Sequence, residues 1–273
     1  MCMVKTPVPE GMKLMEGMDI LIYILVFLYG IVIGSFLNVC IYRIPEKESI
    51  VKVRSHCMAC GYQLKWYDLI PLFSYMVYRG RCRKCGQKLS VQYPLVEAVN
   101  GLLYVLIFAV NGYGSGQQLL VSVVYSLMAS ALLALSIIDW RTYEIPFGFN
   151  VWIGCLGLIR MASDYKNWML YAIGFVAVSA VLELLLLVSR GRAIGGGDVK
   201  LMAAAGLVLG WKLIWLAFVL GCVLGAVIHV TRMKVSGADR VLALGPYLSV
   251  GILLAALWGN TWLDMYFRML SGA

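Results

Sequence analysis

Long apolar runs separated by short polar stretches make up most of this chain. They cover residues 20–41, 94–110, 117–138, 145–161, 168–188, 201–230 and 242–258. A helix needs about 20 apolar residues to cross ~30 Å of hydrocarbon, and most of these runs are close to that length. The run 201–230 is too long for one crossing and is interrupted by Gly210-Trp211-Lys212, so it divides into two spans, one of them short. The pattern therefore predicts an all-α, polytopic membrane helix bundle of about eight spans. No repeat at a fixed period is evident. Residues 1–18 read as a short tail: they contain Pro7 and Pro9 and lack a basic region followed by a cleavable apolar core.

One sizeable stretch, 43–93, is polar enough to lie outside the bilayer. It is too small for a strong core of its own. The chain is thus expected to divide into a tail with its first span (1–42), a loop domain (43–93) and a multi-span core (94–273).

Composition agrees with this: 62% of the residues are hydrophobic, 14% are charged, and mean hydropathy is +0.84. The net charge of +9 invites a nucleic-acid reading, but the positions of the charges argue against one. With the N-terminus outside, the inner loops are 43–93, 139–144, 190–200 and 232–240. They hold 17 of the 23 Lys and Arg residues. That bias is the one that orients membrane proteins with basic loops in the cytoplasm. Merging 201–230 into one span would put Arg232, Lys234 and Arg240 on the other side. No nucleic-acid partner is needed to explain the charge; membrane lipid is the surrounding medium.

The polar residues within this apolar chain carry the chemistry. Asp139 ends the run 117–138. Asp198 opens the run 201–230 and follows three glycines in Ile194-Gly195-Gly196-Gly197-Asp198-Val199-Lys200. An Asp at a helix centre costs roughly 2.5–3.5 kcal/mol on insertion, and less at an end. Glycines permit positive φ and close chain approach. The two aspartates fall on the same predicted face and suggest a carboxylate dyad in a wet pocket, although either alone also reads as a solvated helix end. Two carboxylates ~4 Å apart at an effective dielectric near 20 repel by roughly 4 kcal/mol, so one keeps a proton while the other ionises. The ionised one activates water and the protonated one polarises a carbonyl. Lys200 would tune Asp198, anchor a substrate carboxylate or simply snorkel. Glu183, inside a span, reads as a polar partner for the bundle interior. No G-x-S-x-G or H-E-x-x-H is present, and His56 and His229 lie far apart.

Within 43–93, Cys57-Met58-Ala59-Cys60-Gly61 and Cys82-Arg83-Lys84-Cys85-Gly86 are two C-x-x-C-G turns. Four thiolates make a closed, structural Zn²⁺ site, and the metal would supply folding energy that a small core lacks. Two disulfides are the alternative; a reducing cytosol favours the metal. Cys2, Cys40, Cys155 and Cys222 are scattered, and His56 reads as a solvated neighbour.

Gly195-x-Gly197-Asp198 with Lys200, together with Asp139-Trp140-Arg141-x-x-x-Ile145-Pro146, resembles the type IV prepilin peptidase family of GxGD membrane aspartyl proteases. The resemblance covers nearly the whole chain. It extends to Gly34-Ser35-Phe36-Leu37-Asn38, Trp66-Tyr67-Asp68-x-Ile70-Pro71, Arg79-Gly80-Arg81-Cys82, Tyr93-Pro94-Leu95-Val96-Glu97 and Leu244-Gly245-Pro246-Tyr247. It implies Asp139 and Asp198 as the catalytic pair, supported by Gly195, Gly197 and Lys200, and Cys57, Cys60, Cys82 and Cys85 as zinc ligands. It implies prepilin and pseudopilin substrates, cut after the glycine that ends a basic leader. It further implies a bacterial inner membrane with the site facing the cytoplasm, and N-methylation of the new terminus with S-adenosylmethionine. No glycine-rich nucleotide fingerprint identifies residues for that methyl donor. Trp140 departs from a smaller apolar residue and Phe147 from a polar one. The competing readings are a non-enzymatic zinc-loop adaptor, a proton-coupled transporter, and a GxGD protease that cuts other membrane helices.

Overall fold

The structure, a computed structural model, describes residues 10–52, 54–191, 194–236 and 242–271, and only the backbone of 10–18 and 236. The start of the expected tail and the end of the basic loop, including Arg240, lie outside the described residues. So do Cys2 and Arg192. The described residues are helical, with two isolated bridges and no strand. In chain order the helices are α1 (Glu10–Arg43), α2 (Phe73–Val77), α3 (Gln92–Asn111), α4 (Gly116–Thr142), α5 (Phe147–Ser163), α6 (Trp168–Ala177), α7 (Ser179–Val188), α8 (Gly196–Leu209), α9 (Trp211–Ser236) and α10 (Gly245–Ser271). α1 begins inside the stretch expected to be a tail.

Six helical segments are long and apolar enough to cross a membrane: Asp19–Arg43 of α1, α3, α4, the segment Tyr165–Val188 that joins α6 and α7, most of α9, and α10. This is a multi-pass membrane protein. The expected count of about eight spans is not reached by length. α5 has 17 residues and α8 has 14, or about 26 Å and 21 Å at 1.5 Å per residue. Local chain chemistry shortens both. α5 can start only after Pro146 and stops at Asp164. α8 is closed by Gly210, whose φ of +81° ends the helix and separates it from α9. The interruption at Gly210-Trp211-Lys212 is therefore a real break.

α4 is the most buried of the spans. Met128, Leu132, Leu135 and Ile138 form its core face, and α1, α3, α5 and α10 surround it. Small residues set the helix contacts. A Cβ on Gly34 would lie 2.8 Å from Glu97 Cα, and one on Gly30 would lie 2.8 Å from Gly101 Cα. The Gly30/Gly34 pair is thus the seam between α1 and α3, as small-residue packing predicts. Polar residues in this seam bond across it. Asn100 Nδ2 donates to Gly30 O at 2.7 Å and Asn100 Oδ1 accepts from Ser130 Oγ at 2.8 Å, which ties α1, α3 and α4 together. Asn38 Nδ2 donates to Tyr93 O at 3.1 Å.

Glu183 departs from expectation: it lies on the exposed face of α7, with Leu182 facing the core. The register of α7 decides this, because a residue next to a buried leucine points about 100° away from it.

The α1–α3 seam yields a test. Gly34→Leu should lower stability in detergent by about 1–3 kcal/mol, the usual cost of overpacking. Thermal unfolding by circular dichroism checks it, and an unchanged midpoint would refute the seam.

Candidate functional site: paired aspartates and a four-thiol cluster

Asp139 sits in the last turn of α4, and its helix continues to Thr142. It is 5% exposed, and Asp198 is 9% exposed. Asp139 Oδ2 accepts the Gly245 N–H at 2.9 Å. Gly245 is the first residue of α10 and Pro246 follows it, a residue suited to a first turn. The first turn of α10 thus meets the Asp139 carboxylate. Gly245 has no room for a side chain: a Cβ there would lie 2.7 Å from Asp139 Oδ2 and 3.2 Å from Ile145 Cδ1.

Asp198 is the third residue of α8, and Gly195 is the N-cap. The Asp198 carboxylate reaches back to the Gly195 backbone N–H, a common arrangement at a helix start. This local geometry accounts for each glycine of the motif. A Cβ on Gly195 would lie 3.2 Å from Asp198 Oδ2, and one on Gly197 would lie 3.0 Å from Ile145 Cβ. Gly196, at the variable position, faces open space. The expectation of positive φ here is corrected: none of the three adopts it, and Gly195 has φ −78°. Close approach, rather than an unusual turn, is what requires glycine.

Ile145 links the two halves. Its side chain lies against both Gly197 and Gly245. Asp139, bonded to Gly245, and Asp198, next to Gly197, therefore flank the same side chain, and each carboxylate is within electrostatic reach of the other. Lys200 does not join them. Its ammonium lies 5.3 Å above the Phe147 ring, and it forms no ion pair among the described residues. Arg232 stacks over Trp140 at 4.5 Å. The two aromatic departures thus both receive a cation. Sequence reasoning quoted Gly245 only as part of a motif, and it missed Ile145 as the wedge. It also passed over Asn150, 4% exposed in the first turn of α5, whose side-chain amide has no protein partner.

At the same end of the bundle, α1, α3 and α4 close together. The Tyr42 and Tyr93 rings stack at 5.4 Å, Arg141 lies 5.2 Å over Tyr42, and Arg141 also donates to Gln92.

The cysteine stretch holds two copies of one hairpin. Cys57 N–H donates to Tyr62 O and Gly61 N–H to Cys57 O; Cys82 N–H donates to Gln87 O and Gly86 N–H to Cys82 O. Gly61 and Gly86 have φ of +68° and +73°, which glycine adopts without strain. Bridges His56–Gln63 and Arg81–Lys88 close the copies. The two C-x-x-C-G turns read from the sequence extend to whole hairpins, although beyond the cysteines and glycines only a leucine recurs. The four sulfurs lie within 4.8 Å of one another, and all four cysteines are free. Sulfurs at ~2.3 Å from a tetrahedral zinc are about 3.8 Å apart, and Cys57 Sγ to Cys85 Sγ is 3.9 Å. The donor set fits a metal ion. Backbone N–H groups of Cys85 and Lys84 bring the Cys82 thiol down to about 7. Cys85 accepts the Gln87 N–H, yet burial and the Cys60, Cys82 and Cys57 thiols push it up to about 11. Four thiols this close ionise together only around a cation.

The fold and these two centres define a class: a multi-pass membrane protein with paired carboxylates at one end of its bundle and a four-thiol cluster in a loop. Comparison with known proteins gives the particular family. Residues 28–110 match the Bacterial Peptidase A24 N-terminal domain, and residues 126–230 match the Type IV leader peptidase family. The chain is similar to a prepilin leader peptidase/N-methyltransferase of Bacillus subtilis, 30% identical over 253 residues, with 91% of this chain and 99% of that protein covered. The protein of the same description in Xanthomonas campestris pv. campestris is 32% identical over 269 residues, with 88% and 92% covered. That of Myxococcus xanthus is 34% identical over 221 residues, with 78% of this chain but only 64% of the relative covered. No solved structure matches. The chain belongs to the type IV leader peptidase family.

The thiol geometry yields a second test. Purified protein should carry one divalent metal ion per chain, lost in a Cys57→Ser, Cys82→Ser double variant. Chelation should speed hydrogen exchange across 54–89 while the bundle stays protected; unchanged exchange would rule out a structural metal.

Proposed function

We propose that this leader peptidase uses Asp139 and Asp198 to hydrolyse the peptide bond that follows the leader glycine of prepilins and pseudopilins, at the cytoplasmic face of a bacterial inner membrane. The observation that carries this is the shared wedge: Ile145 lies against Gly197 and Gly245, so carboxylates from α4 and α8 meet at one end of the bundle. Family membership and the relatives' names support the substrate class. The excess of basic residues in the loops at this end supports the orientation. A basic leader followed by an apolar helix would lie with its cleavage point at this depth.

The chemistry follows from two carboxylates that share a proton. The ionised one takes a proton from water, whose oxygen attacks the scissile carbonyl carbon. The protonated one donates a hydrogen bond to the carbonyl oxygen and then its proton to the departing nitrogen as the C–N bond breaks. Asp139, whose Oδ2 accepts the Gly245 N–H, is assigned the water-activating role. Lys200 reads as a rim residue held over Phe147. We assign the thiol cluster to Zn²⁺ in a structural role, because four thiolates leave no open coordination position for water. This keeps the division into 1–42, 43–93 and 94–273. S-adenosylmethionine-dependent methylation of the new N-terminus belongs to the reading because the relatives' descriptions include it. The described residues form no strand–turn–helix cradle for that donor, so no step is derived through it. The exposed Glu183 weakens the transporter reading, since an inward acid for a relay is then missing from α7.

Asp139→Asn and Asp198→Asn should each remove cleavage of a model prepilin by at least a thousand-fold while leaving the thermal midpoint unchanged. An adaptor would tolerate both substitutions. The wild-type rate should fall at low pH, where both carboxyls protonate, and at high pH, where both ionise; a flat profile would overturn the shared-proton pair. Gly245→Ala should lose activity, because its Cβ meets Asp139 Oδ2, whereas Gly196→Ala should retain it. Equal rates in these two variants would refute the crowding argument.

A further inference from the structure

Between the two hairpins, the chain forms a 3₁₀ turn (Trp66–Leu69) and then α2. Trp66, Leu69, Ile70, Phe73, Met76 and Val77, spread over the 3₁₀ turn, the break at Leu72 (φ +57°) and α2, are each between 37% and 77% exposed. The polar residues of the same segment point inward. Asp68 is 4% exposed at its side chain, accepts the Lys65 N–H at 3.0 Å and the Tyr62 hydroxyl, and pairs with Arg83 at 4.0 Å. Arg83 stacks on Tyr67 at 5.1 Å. This is the inverse of a soluble domain, which turns most of its large apolar side chains to the core. A contiguous apolar patch of this kind marks contact with an apolar medium or partner.

The position of the stripe selects the occupant. Leu72, in the middle of it, donates its N–H to Glu97 Oε2 at 2.7 Å. Glu97 is buried near the start of α3, two residues from Leu95, where the outward row of Leu95, Leu102 and Leu106 begins. The stripe is therefore held at the level where the lipid-facing surface of the bundle starts. Its basic surroundings match anionic headgroups: 43–93 contains ten Lys and Arg residues against three Asp and Glu, and Lys65 and Arg79 flank the stripe on exposed positions. Trp66 is the residue type that favours the membrane–water interface.

We propose that the segment 66–77 is an interfacial membrane anchor, with its Trp66–Val77 stripe inserted among lipid headgroups and upper acyl chains, so that the thiol-cluster domain lies on the bilayer rather than standing free in solvent. The inference does not depend on the peptidase assignment. It goes beyond that assignment by giving the loop domain a lipid surface of its own.

The test uses the full chain, labelled with fluorotryptophan, in nanodiscs of mixed zwitterionic and anionic phospholipid. The Trp66 fluorine resonance is assigned by its loss in Trp66→Phe and, as a check on folding, in Trp66→Tyr. A lipid with a spin label near its headgroup should broaden this resonance, and a water-soluble gadolinium chelate should leave it sharp. In a Phe73→Ser, Met76→Ser, Val77→Ser variant the pattern should reverse, with the chelate broadening it at least three-fold more than in the wild type. Broadening by the chelate alone in the wild type would overturn the anchor. So would protection from both reagents, which would point to a second copy of the chain, or protection that appears only on adding a prepilin peptide, which would make the stripe a protein-docking surface.

Discussion

One hydrogen bond fixes the geometry of the whole bundle end: the Gly245 N–H donated to Asp139. It joins the last turn of α4 to the first turn of α10, two helices far apart in the chain. A carboxylate near membrane depth is tolerated only if its charge is answered, and a helix N-terminus answers it without a counter-ion. A lysine or arginine at this point would have neutralised the acid and occupied the space beside it. A bare N–H leaves the second oxygen available. Ile145 then sets the spacing, because neither Gly197 nor Gly245 could carry a side chain without displacing it.

The rest of the membrane core is built around the same economy of volume. Backbones approach where glycine permits it, along α1–α3, α6–α8 and α9–α10. Lipid supplies no hydrophobic drive for helix association, so such seams and the internal hydrogen bonds of Asn100, Ser130 and Tyr104 hold the spans in register. α5 and α8 are the short members, and they are the ones that frame the aspartates.

Much of this was legible in the sequence. Apolar runs announce membrane helices because the bilayer demands a minimum length, and the two C-x-x-C-G turns announce a shared ligand because the spacing is local. The aspartates stood out because acids are costly among apolar residues. Other features escaped because they depend on distance in space. Nothing in the spacing shows that Gly245 faces Asp139, that Ile145 lies between two glycines, or that Glu183 points outward rather than in. Gly195 and Gly197 read from the sequence as either turn or close-approach residues; only the neighbouring atoms reveal that crowding is the reason for them. The hairpin duplication was hidden because backbone hydrogen bonds, rather than side chains, carry most of it.

That duplication has a topological consequence. The two hairpins contribute two thiols each, so neither holds a tetrahedral ion alone, and the 21 residues between Cys60 and Cys82 become a closed ring once an ion joins them. Ring closure removes entropy from the unfolded chain and costs little more for a ring of this length than for a shorter one. The outward apolar segment lies within that ring. A metal held by the four thiols would therefore act as a clasp at the neck of the loop, fixing its shape from a point where no part of the stripe touches the ion.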